Sequence, residues 1–215
     1  MNLNQTNNIF KKELEEFWEH SRSVHPTTKV FSETPRIAFI GKARAGKDAL
    51  AEKAFPHVSH YKIAFADALK ELYEGNFGHI QAKEKPRDAY VTIGNAFREV
   101  DPLIWIRKLN DTFLELKDKG VPIILTDVRY PNEVAWCRDN GFLVIKVEAD
   151  NISRISRSAA LGENLDVGNE GDALVDSLKA DWVIQNSGYN LIPAIEELNH
   201  VLKLYYPKHI KTTIT

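Results

Sequence analysis

The sequence predicts an α/β protein with a doubly wound parallel sheet of five strands. Apolar runs alternate with helical patterns along the chain, and several of these runs are too continuously apolar to have one face in water. The first run ends in a glycine-containing loop that opens a helix. Because ligands of such sheets bind beyond the carboxyl ends of the strands, the residues that follow each strand are the candidate functional residues.

The composition fits one globular domain with a sizeable core. The chain has 215 residues, of which 43% are hydrophobic and 27% are charged. A net charge of −2 and a pI near 6.4 do not indicate binding to nucleic acid or to a membrane surface. Cys137 is the single cysteine, which excludes an internal disulfide framework and fits a reducing compartment. No apolar run approaches the ~18 residues of a membrane span. The polar start, MNLNQTNN, is not a signal peptide, so we expect a cytoplasmic protein.

Residues 1–35 are predicted to form a helix and a linker ahead of a domain at 36–215. The helix is predicted from an apolar stripe at helical spacing, which consists of Ile9, Phe10, Leu14, Phe17 and Trp18. Pro26 and Pro35 mark the linker. We expect the stripe to pack on the domain or on a partner subunit, which leaves a homodimer open, and we assign it no chemistry.

Within the domain, strands alternate with helices. The strands are predicted over residues 37–40, 57–65, 121–127, 142–149 and 181–186. Helices are predicted after the glycine loop and over residues 66–77, 86–100, 101–120, 130–141 and 190–206. Asp101 as N-cap and Pro102 at the first helical position predict where the fourth of these helices begins, and Gly120 and Gly141 predict helix ends.

The loop after the first strand has the sequence GKARAGKD, from Gly41 to Asp48. Its two glycines let backbone N–H groups turn inward around an anion, and the helix N-terminus adds the positive end of its dipole. Lys47 can reach the outer phosphates of a nucleoside triphosphate. This pattern is typical of the phosphate-binding loop of P-loop NTPases, so it predicts an ATP or GTP site. The residues assigned to it are Gly41, Lys42, Ala43, Arg44, Ala45, Gly46, Lys47, Asp48 and Ala49.

A magnesium ion is expected with the triphosphate. The consensus of this loop has Ser or Thr after the lysine as the Mg²⁺ ligand, and here Asp48 stands in that position. A carboxylate can hold Mg²⁺ directly or through water. The strand that ends in TDVRYPNE adds Asp127, which can take a water of the metal shell. Asp48 and Asp127 are therefore the candidate metal residues.

Arginines are the candidate contacts to a second phosphate. Arg129 follows Asp127 by two residues, and its planar fork suits a phosphate; the alternative is a surface salt bridge between the two. Glu133, one helical turn further on, either faces the same cleft or is an ordinary exposed glutamate. At least two further arginines are expected to touch substrate, from a set of Arg87, Arg98, Arg107, Arg154 and Arg157.

The segment over about 150–168 is predicted to be a mobile lid. It lies between two predicted strands and is polar, charged and poor in core residues. Arg154 and Arg157 stand three residues apart, so they can share one face and close over phosphates.

The reaction is predicted to have a phosphate as its acceptor. No histidine shows the partner pattern of a general base. A phosphate acceptor needs no such base, because a second pKa near ~6 makes it mostly a dianion at neutral pH. Positioning and charge neutralisation then suffice for phosphoryl transfer, with Lys47, Asp127 and Arg129 as the candidate catalytic residues.

Five segments of the chain resemble, in order, those of the deoxynucleoside monophosphate kinases of bacteriophages and their bacterial relatives. The segments are GKARAGKD, FADALK, RDAYVTIGNAFREVDPLIW, TDVRYPNE and DWVIQNSG, and the resemblance runs from about Arg36 to the last helix. It implies the fold of nucleoside monophosphate kinases, with a helical substrate-binding region and a lid. It also implies transfer of the γ-phosphate of ATP to a deoxynucleoside monophosphate, with Mg²⁺.

The same resemblance implies roles for individual residues. Lys47 would contact the transferred phosphoryl group, while Asn186 and Gly188, after the last strand, would lie against the adenine. The residues that would hold the monophosphate are Lys70, Arg87, Trp105, Asp127, Arg129 and Glu133. Trp105 would lie near the base, and its alternative is core packing. The implied partners are small-molecule nucleotides, with neither nucleic acid nor membrane.

Two other functions remain open from the sequence. Phosphomevalonate kinase of the animal type also resembles this chain in a GKD loop, a DxR strand end and DWVI followed by Asn and Gly. A regulatory P-loop module would bind ATP without an acceptor and without turnover.

Overall fold

The computed structural model describes residues 31–56, 58–78, 86–168 and 170–209. These residues form two compact units. A helical unit comprises residues 64–78 and 86–115, and a sheet unit comprises the described residues of 31–63 and 116–209. The helix predicted over the apolar stripe near residues 9–18 lies outside the described residues.

The sheet unit contains the predicted five-stranded parallel sheet. Its strands lie in the order β2-β3-β1-β4-β5, with every pair of neighbours parallel. The bounds are β1 Arg36–Ile40, β2 Tyr61–Ile63, β3 Ile123–Val128, β4 Leu143–Glu148 and β5 Trp182–Gln185. The central strand β1 pairs Ile37 with Ile124 of β3 and with Leu143 of β4, so the loop that follows β1 emerges at the middle of the sheet.

Helices connect the strands and make up the helical unit. In the sheet unit they are α1 Lys47–Ala54, α5 Pro131–Asp139, α6 Asn151–Ala159, α7 Glu170–Ser177 and α8 Ile192–Tyr205. In the helical unit they are α2 Asp67–Phe77, α3 Arg87–Val100 and α4 Ile104–Leu116. Within the described ranges, no helix combines the length and the apolarity needed to cross a membrane.

Both faces of the central strand are covered, which accounts for its continuously apolar sequence. Ile37 and Phe39 pack in one cluster with Leu50 of α1 and Leu198 of α8. Ala38, which alternates with them and points to the opposite face, is also fully buried. Because α1 and α8 pack together over this strand, the hydrophobic core fixes the position of the first turn of α1.

Three predicted boundaries are wrong. Strand β2 covers only Tyr61–Ile63 of the predicted run over 57–65. Helix α4 begins at Ile104 rather than Asp101, because Asp101 ends α3 and its Oδ1 accepts from the Leu103 N–H in an intervening turn. The same helix ends at Leu116 rather than at Gly120, and a turn closed by the bond from the Lys119 N–H to the Leu116 carbonyl follows it.

Candidate functional site

The loop between β1 and α1 is the predicted phosphate-binding loop, and glycine is required at two of its positions. A Cβ at Gly41 would lie 2.5 Å from the carbonyl oxygen of Val147 in β4. Gly46 has φ +102°, and a Cβ there would lie 2.2 Å from Nδ2 of Asn186. The loop therefore fits closely against the neighbouring strand and the segment that follows β5.

Lys47 lies inside the loop that it follows. Its Nζ donates to the carbonyl oxygens of Gly41, at 2.7 Å, and Lys42, at 3.0 Å, and the residue is only 8% exposed. Burial and, to a smaller extent, the nearby charge of Arg129 lower the pKa of Lys47 to about 8, while Asp48 and Asp127 oppose the shift. The ammonium group therefore lies within electrostatic range of the other three charged residues assigned to catalysis and metal binding.

The remaining loop carbonyls are bound by side chains from distant parts of the chain. Arg154 Nε donates to the Ala43 oxygen at 2.8 Å. Arg157 Nη1 donates to the Arg44 and Ala45 oxygens, at 3.1 and 3.2 Å. Since carbonyl oxygens from Gly41 to Ala45 are all held by donors of the protein itself, the loop is shaped before any phosphate enters.

Asp48 lies where a metal ligand is expected, and a lysine accompanies it. Its Oδ1 accepts from Lys62 Nζ of β2 at 2.8 Å and from Thr126 Oγ1 of β3 at 3.1 Å. Burial would raise the pKa of Asp48, but the hydrogen bond and charge of Lys62 and the Thr126 hydroxyl lower it overall, so the carboxylate is ionised at neutral pH. Lys62 was not among the predicted site residues, because nothing in the pattern of a short strand marks it.

The residues present fit a magnesium ion that arrives with a nucleotide. In the part of the chain that the structure describes, no group of three or more His, Cys, Asp or Glu side chains is arranged to hold a metal. Mg²⁺ is commonly bound by one or two carboxylates together with substrate phosphates rather than by an all-protein cage. An ionised Asp48, with Asp127 on the adjoining strand β3, supplies that donor set.

Glu133 holds the backbone at Arg129. It is buried, and its Oε2 accepts from the backbone N–H groups of Arg129, at 2.7 Å, and Tyr130, at 3.1 Å. This excludes the exposed-glutamate alternative for Glu133. The carboxylate fixes the turn from which the exposed Arg129 side chain extends at the end of β3.

Three residues predicted to hold the monophosphate belong to the helical unit. Lys70 of α2 forms an ion pair with Asp67, with an Nζ–Oδ1 distance of 2.9 Å, and Arg87 begins α3. Trp105 is 4% exposed, and its indole N–H donates to the Gly94 carbonyl at 3.2 Å. These contacts correspond to the core-packing alternative for Trp105.

Helix α6 occupies the first part of the predicted lid, and, as expected of a segment poor in core residues, no hydrophobic side chain over 150–168 is buried. Ser153, Arg154 and Ser158 are all buried. Arg154 and Arg157 bind carbonyl oxygens of the phosphate loop in this structure, instead of lying open above it. Polar side chains can be buried here because the loop supplies acceptors for them.

The segment after β5 is joined to the phosphate loop rather than standing apart from it. Asn186 Nδ2 donates to the Ala45 carbonyl at 2.8 Å, and its buried Oδ1 has no hydrogen-bond partner among the described residues. Arg157 Nη2 donates to the carbonyls of Asn186 and Gly188, at 2.7 and 2.8 Å. Arg157 thus connects the phosphate loop to the segment assigned to the adenine.

A cavity of about 360 Å³ lies beside Lys42 at the ends of β4 and β5. Four of its charged groups form two ion pairs: Lys42 Nζ lies 2.7 Å from Asp176, and Lys146 Nζ lies 3.5 Å from Glu148. The cavity therefore does not by itself indicate a ligand.

Comparison with solved structures finds a kinase of similar fold. The chain is similar to a sugar kinase from Janibacter sp. HTCC2649, with a TM-score of 0.52 and 14% sequence identity, over 83% of this chain and 99% of that chain. At this identity the likeness shows the fold alone.

Two further solved structures resemble the chain at lower TM-scores. TT1252 from Thermus thermophilus has a TM-score of 0.48 and 16% identity, over 80% of this chain and 98% of that chain. A dephospho-CoA kinase from Campylobacter jejuni has a TM-score of 0.44 and 14% identity, over 82% of this chain and 100% of that chain. No protein-family model matches the chain, and a search of the curated proteins finds no match.

Proposed function

We propose that this protein transfers the γ-phosphate of ATP to a deoxynucleoside monophosphate, giving the diphosphate and ADP. The observation that carries the proposal is the buried Lys47 inside a phosphate loop whose carbonyls are held from outside. The P-loop kinase fold supports a phosphotransferase of this class. The choice of acceptor is supported by the sequence segments that resemble deoxynucleoside monophosphate kinases.

The donor triphosphate is bound by the loop and by Lys47. The Lys47 ammonium exchanges its two carbonyl acceptors for phosphate oxygens, which removes little from the loop because the other carbonyls keep their own donors. Asp48 and Asp127 are the residues that would hold magnesium. When bound there, Mg²⁺ neutralises charge on the β- and γ-phosphates.

The acceptor phosphate is assigned to Arg129, whose backbone Glu133 fixes. An oxygen of the acceptor dianion forms a bond to the γ-phosphorus of ATP. The bond from that phosphorus to the bridging oxygen breaks, and ADP leaves with the electron pair. No proton has to be removed from the acceptor, in keeping with the absence of an assigned general base.

A coupled ADP-release assay tests the proposal. Each reaction contains ATP, Mg²⁺ and one of dAMP, dGMP, dCMP, dTMP or dUMP, and a further reaction contains phosphomevalonate. We expect turnover with one or more deoxynucleotides. Turnover with phosphomevalonate alone would overturn the acceptor assignment, and ATP binding without any turnover would support a regulatory module instead.

Two variants separate the donor site from the acceptor site. Lys47→Ala should abolish turnover while the protein stays folded, because the transferred phosphoryl group loses its cation. Arg129→Ala should weaken binding of the monophosphate far more than binding of ATP. Arg138→Ala is the matched control, since Arg138 binds the Lys179 carbonyl near the amino end of β5, whereas Arg129 follows the carboxyl end of β3. Unchanged monophosphate affinity in Arg129→Ala would contradict the acceptor site.

A further inference from the structure

Helix α6 is joined to the phosphate loop through a fully buried arginine. Arg154 is 0% exposed, and all three of its guanidinium nitrogens donate. Nε binds the Ala43 carbonyl at 2.8 Å, Nη1 binds Asn151 Oδ1 at 3.1 Å, and Nη2 binds Asp172 Oδ1 at 3.0 Å. A guanidinium with every nitrogen bound in this way has one defined orientation.

The orientation of Arg154 depends on a carboxylate from the next helix. Asp172 of α7 is buried, and its Oδ2 lies 2.9 Å from Arg154 Nη2. The same oxygen accepts from the Gly168 N–H at 3.0 Å, which fixes Asp172 against the segment that leads into α7. Asp172 therefore determines where the buried charge of Arg154 lies.

The carbonyl that Arg154 binds lies in the middle of the phosphate loop. Ala43 is followed by Arg44, whose φ of +63° is in the left-handed region that a non-glycine residue seldom adopts. A carbonyl drawn outward at this point lets neighbouring N–H groups turn inward, toward the place of an anion. Losing the Arg154 bond would allow Ala43 and Arg44 to relax into a conformation that binds phosphate less well.

We propose that Asp172 is a positioning residue for the donor nucleotide, and that it acts by holding Arg154 against the Ala43 carbonyl of the phosphate loop. The inference rests on the proposed function only in taking ATP as the ligand of the loop. It does not depend on which phosphate is the acceptor. Asp172 thus acts on the donor site through Arg154, although no pattern around it in the sequence marks it as functional.

The first test measures the equilibrium binding of ATP–Mg²⁺ to the Asp172→Asn variant by titration calorimetry. We expect the dissociation constant to rise tenfold or more, because the neutral amide holds the guanidinium of Arg154 less strongly. In steady-state assays the KM for ATP should rise by a similar factor, while the KM for the acceptor changes less than twofold. A merely structural role would instead lower the active fraction and leave both KM values unchanged.

Two further variants keep the test decisive if Asp172→Asn does not fold. The double variant Arg154→Met with Asp172→Leu removes both buried charges together, which proteins often tolerate when the volume is kept. Arg154→Lys keeps a positive charge for Asp172 but has no Nε donor for Ala43. Both should fold and bind ATP at least tenfold more weakly than the unaltered protein.

Asp181→Asn is the matched control. Asp181 is another little-exposed carboxylate beside an arginine, 3.8 Å from Arg138, and it accepts from the Val144 N–H at the amino ends of β4 and β5. Its ATP affinity should be unchanged. A folded double or Lys variant with unaltered ATP affinity would overturn the inference, whereas an unaltered protein that binds no ATP would overturn the proposed function.

Discussion

Lys47 keeps a charged group inside the protein because two carbonyl oxygens of its own loop serve as acceptors. Those contacts do not fully compensate for the hydration that the ammonium group loses, so burial still lowers the pKa of Lys47 to about 8. The Lys47 ammonium group therefore loses its proton at a lower pH than an exposed lysine does. Phosphates entering the loop would favour the charged form.

The first prediction concerns pH. Because the pKa of Lys47 is lowered in the free protein, its positive charge is present below about pH 8 and is lost above it. The association constant for ATP should be nearly level up to about pH 7, be about halved at pH 8 and then fall with a slope that approaches tenfold per pH unit. Titrations between pH 6.5 and 9.5 at fixed free Mg²⁺ measure this.

The matched variant for this profile is Lys47→Arg, since arginine keeps its charge across the whole range. Its ATP affinity should be lower at neutral pH, because the guanidinium does not fit the lysine position, but level up to pH 9.5. A level profile in the unaltered protein would mean that Lys47 does not titrate there.

At the scale of single elements, α6 and α7 show why polar helices are hard to interpret from sequence. Ile152 and Ile155 of α6 are exposed, whereas Arg154 between them is fully buried. A reading based on hydrophobicity would place the isoleucines inward and leave the arginine in water. The opposite holds because the Asp172 carboxylate and the Ala43 carbonyl accept hydrogen bonds from the buried guanidinium of Arg154.

The packing of α8 on α1 stabilises the helix that follows the phosphate loop. The second prediction tests this packing. Leu198 of α8 is fully buried in the cluster that contains Leu50 of α1. Leu198→Ala should lower the free energy of unfolding by about 2–5 kcal/mol, through lost burial and a residual cavity. Urea unfolding followed by circular dichroism measures the change.

Leu204→Ala is the control on the same helix. Leu204 is 58% exposed, so its truncation should change the free energy of unfolding by less than about 0.5 kcal/mol. Equal effects of the two substitutions would contradict the packing of α8 described here.

At the scale of the whole molecule, the described residues form a sheet unit and a helical unit. The phosphate loop and all the side chains that hold its carbonyls belong to the sheet unit. The donor site is therefore built within one unit. ATP should stabilise that unit directly.

The third prediction follows from this arrangement. ATP–Mg²⁺ at about 100 times its dissociation constant stabilises a folded state by about 2.7 kcal/mol. For a chain of this size that corresponds to a rise of about 5–11 °C in the melting temperature of the sheet unit. Scanning calorimetry with and without ATP–Mg²⁺ measures it. Lys47→Ala should melt normally and lose the rise, and the absence of any rise in the unaltered protein at saturating ATP would contradict the donor site.

The sequence by itself determined the sheet and the phosphate loop. Several of the five predicted strands are too continuously apolar to have a face in water, and helices separate all five, which predicts a parallel sheet covered on both sides. Gly41 and Gly46 adopt backbone conformations that few other residues allow, and Lys47 follows them at the start of a helix. The structure has all three where the sequence predicts them. Both signals are local, because periodicity and backbone preference act over a few residues.

Only the tertiary structure decided which side chains hold that loop. Arg154 bonds a carbonyl 111 positions away along the chain, Asn186 bonds one 141 positions away, and Lys62 reaches Asp48 across the sheet edge. Arginine, asparagine and lysine are most often surface residues, so their local patterns do not indicate burial. Their partners become available only when distant segments come together, and the free energy of those contacts depends on geometry that no short stretch of sequence contains.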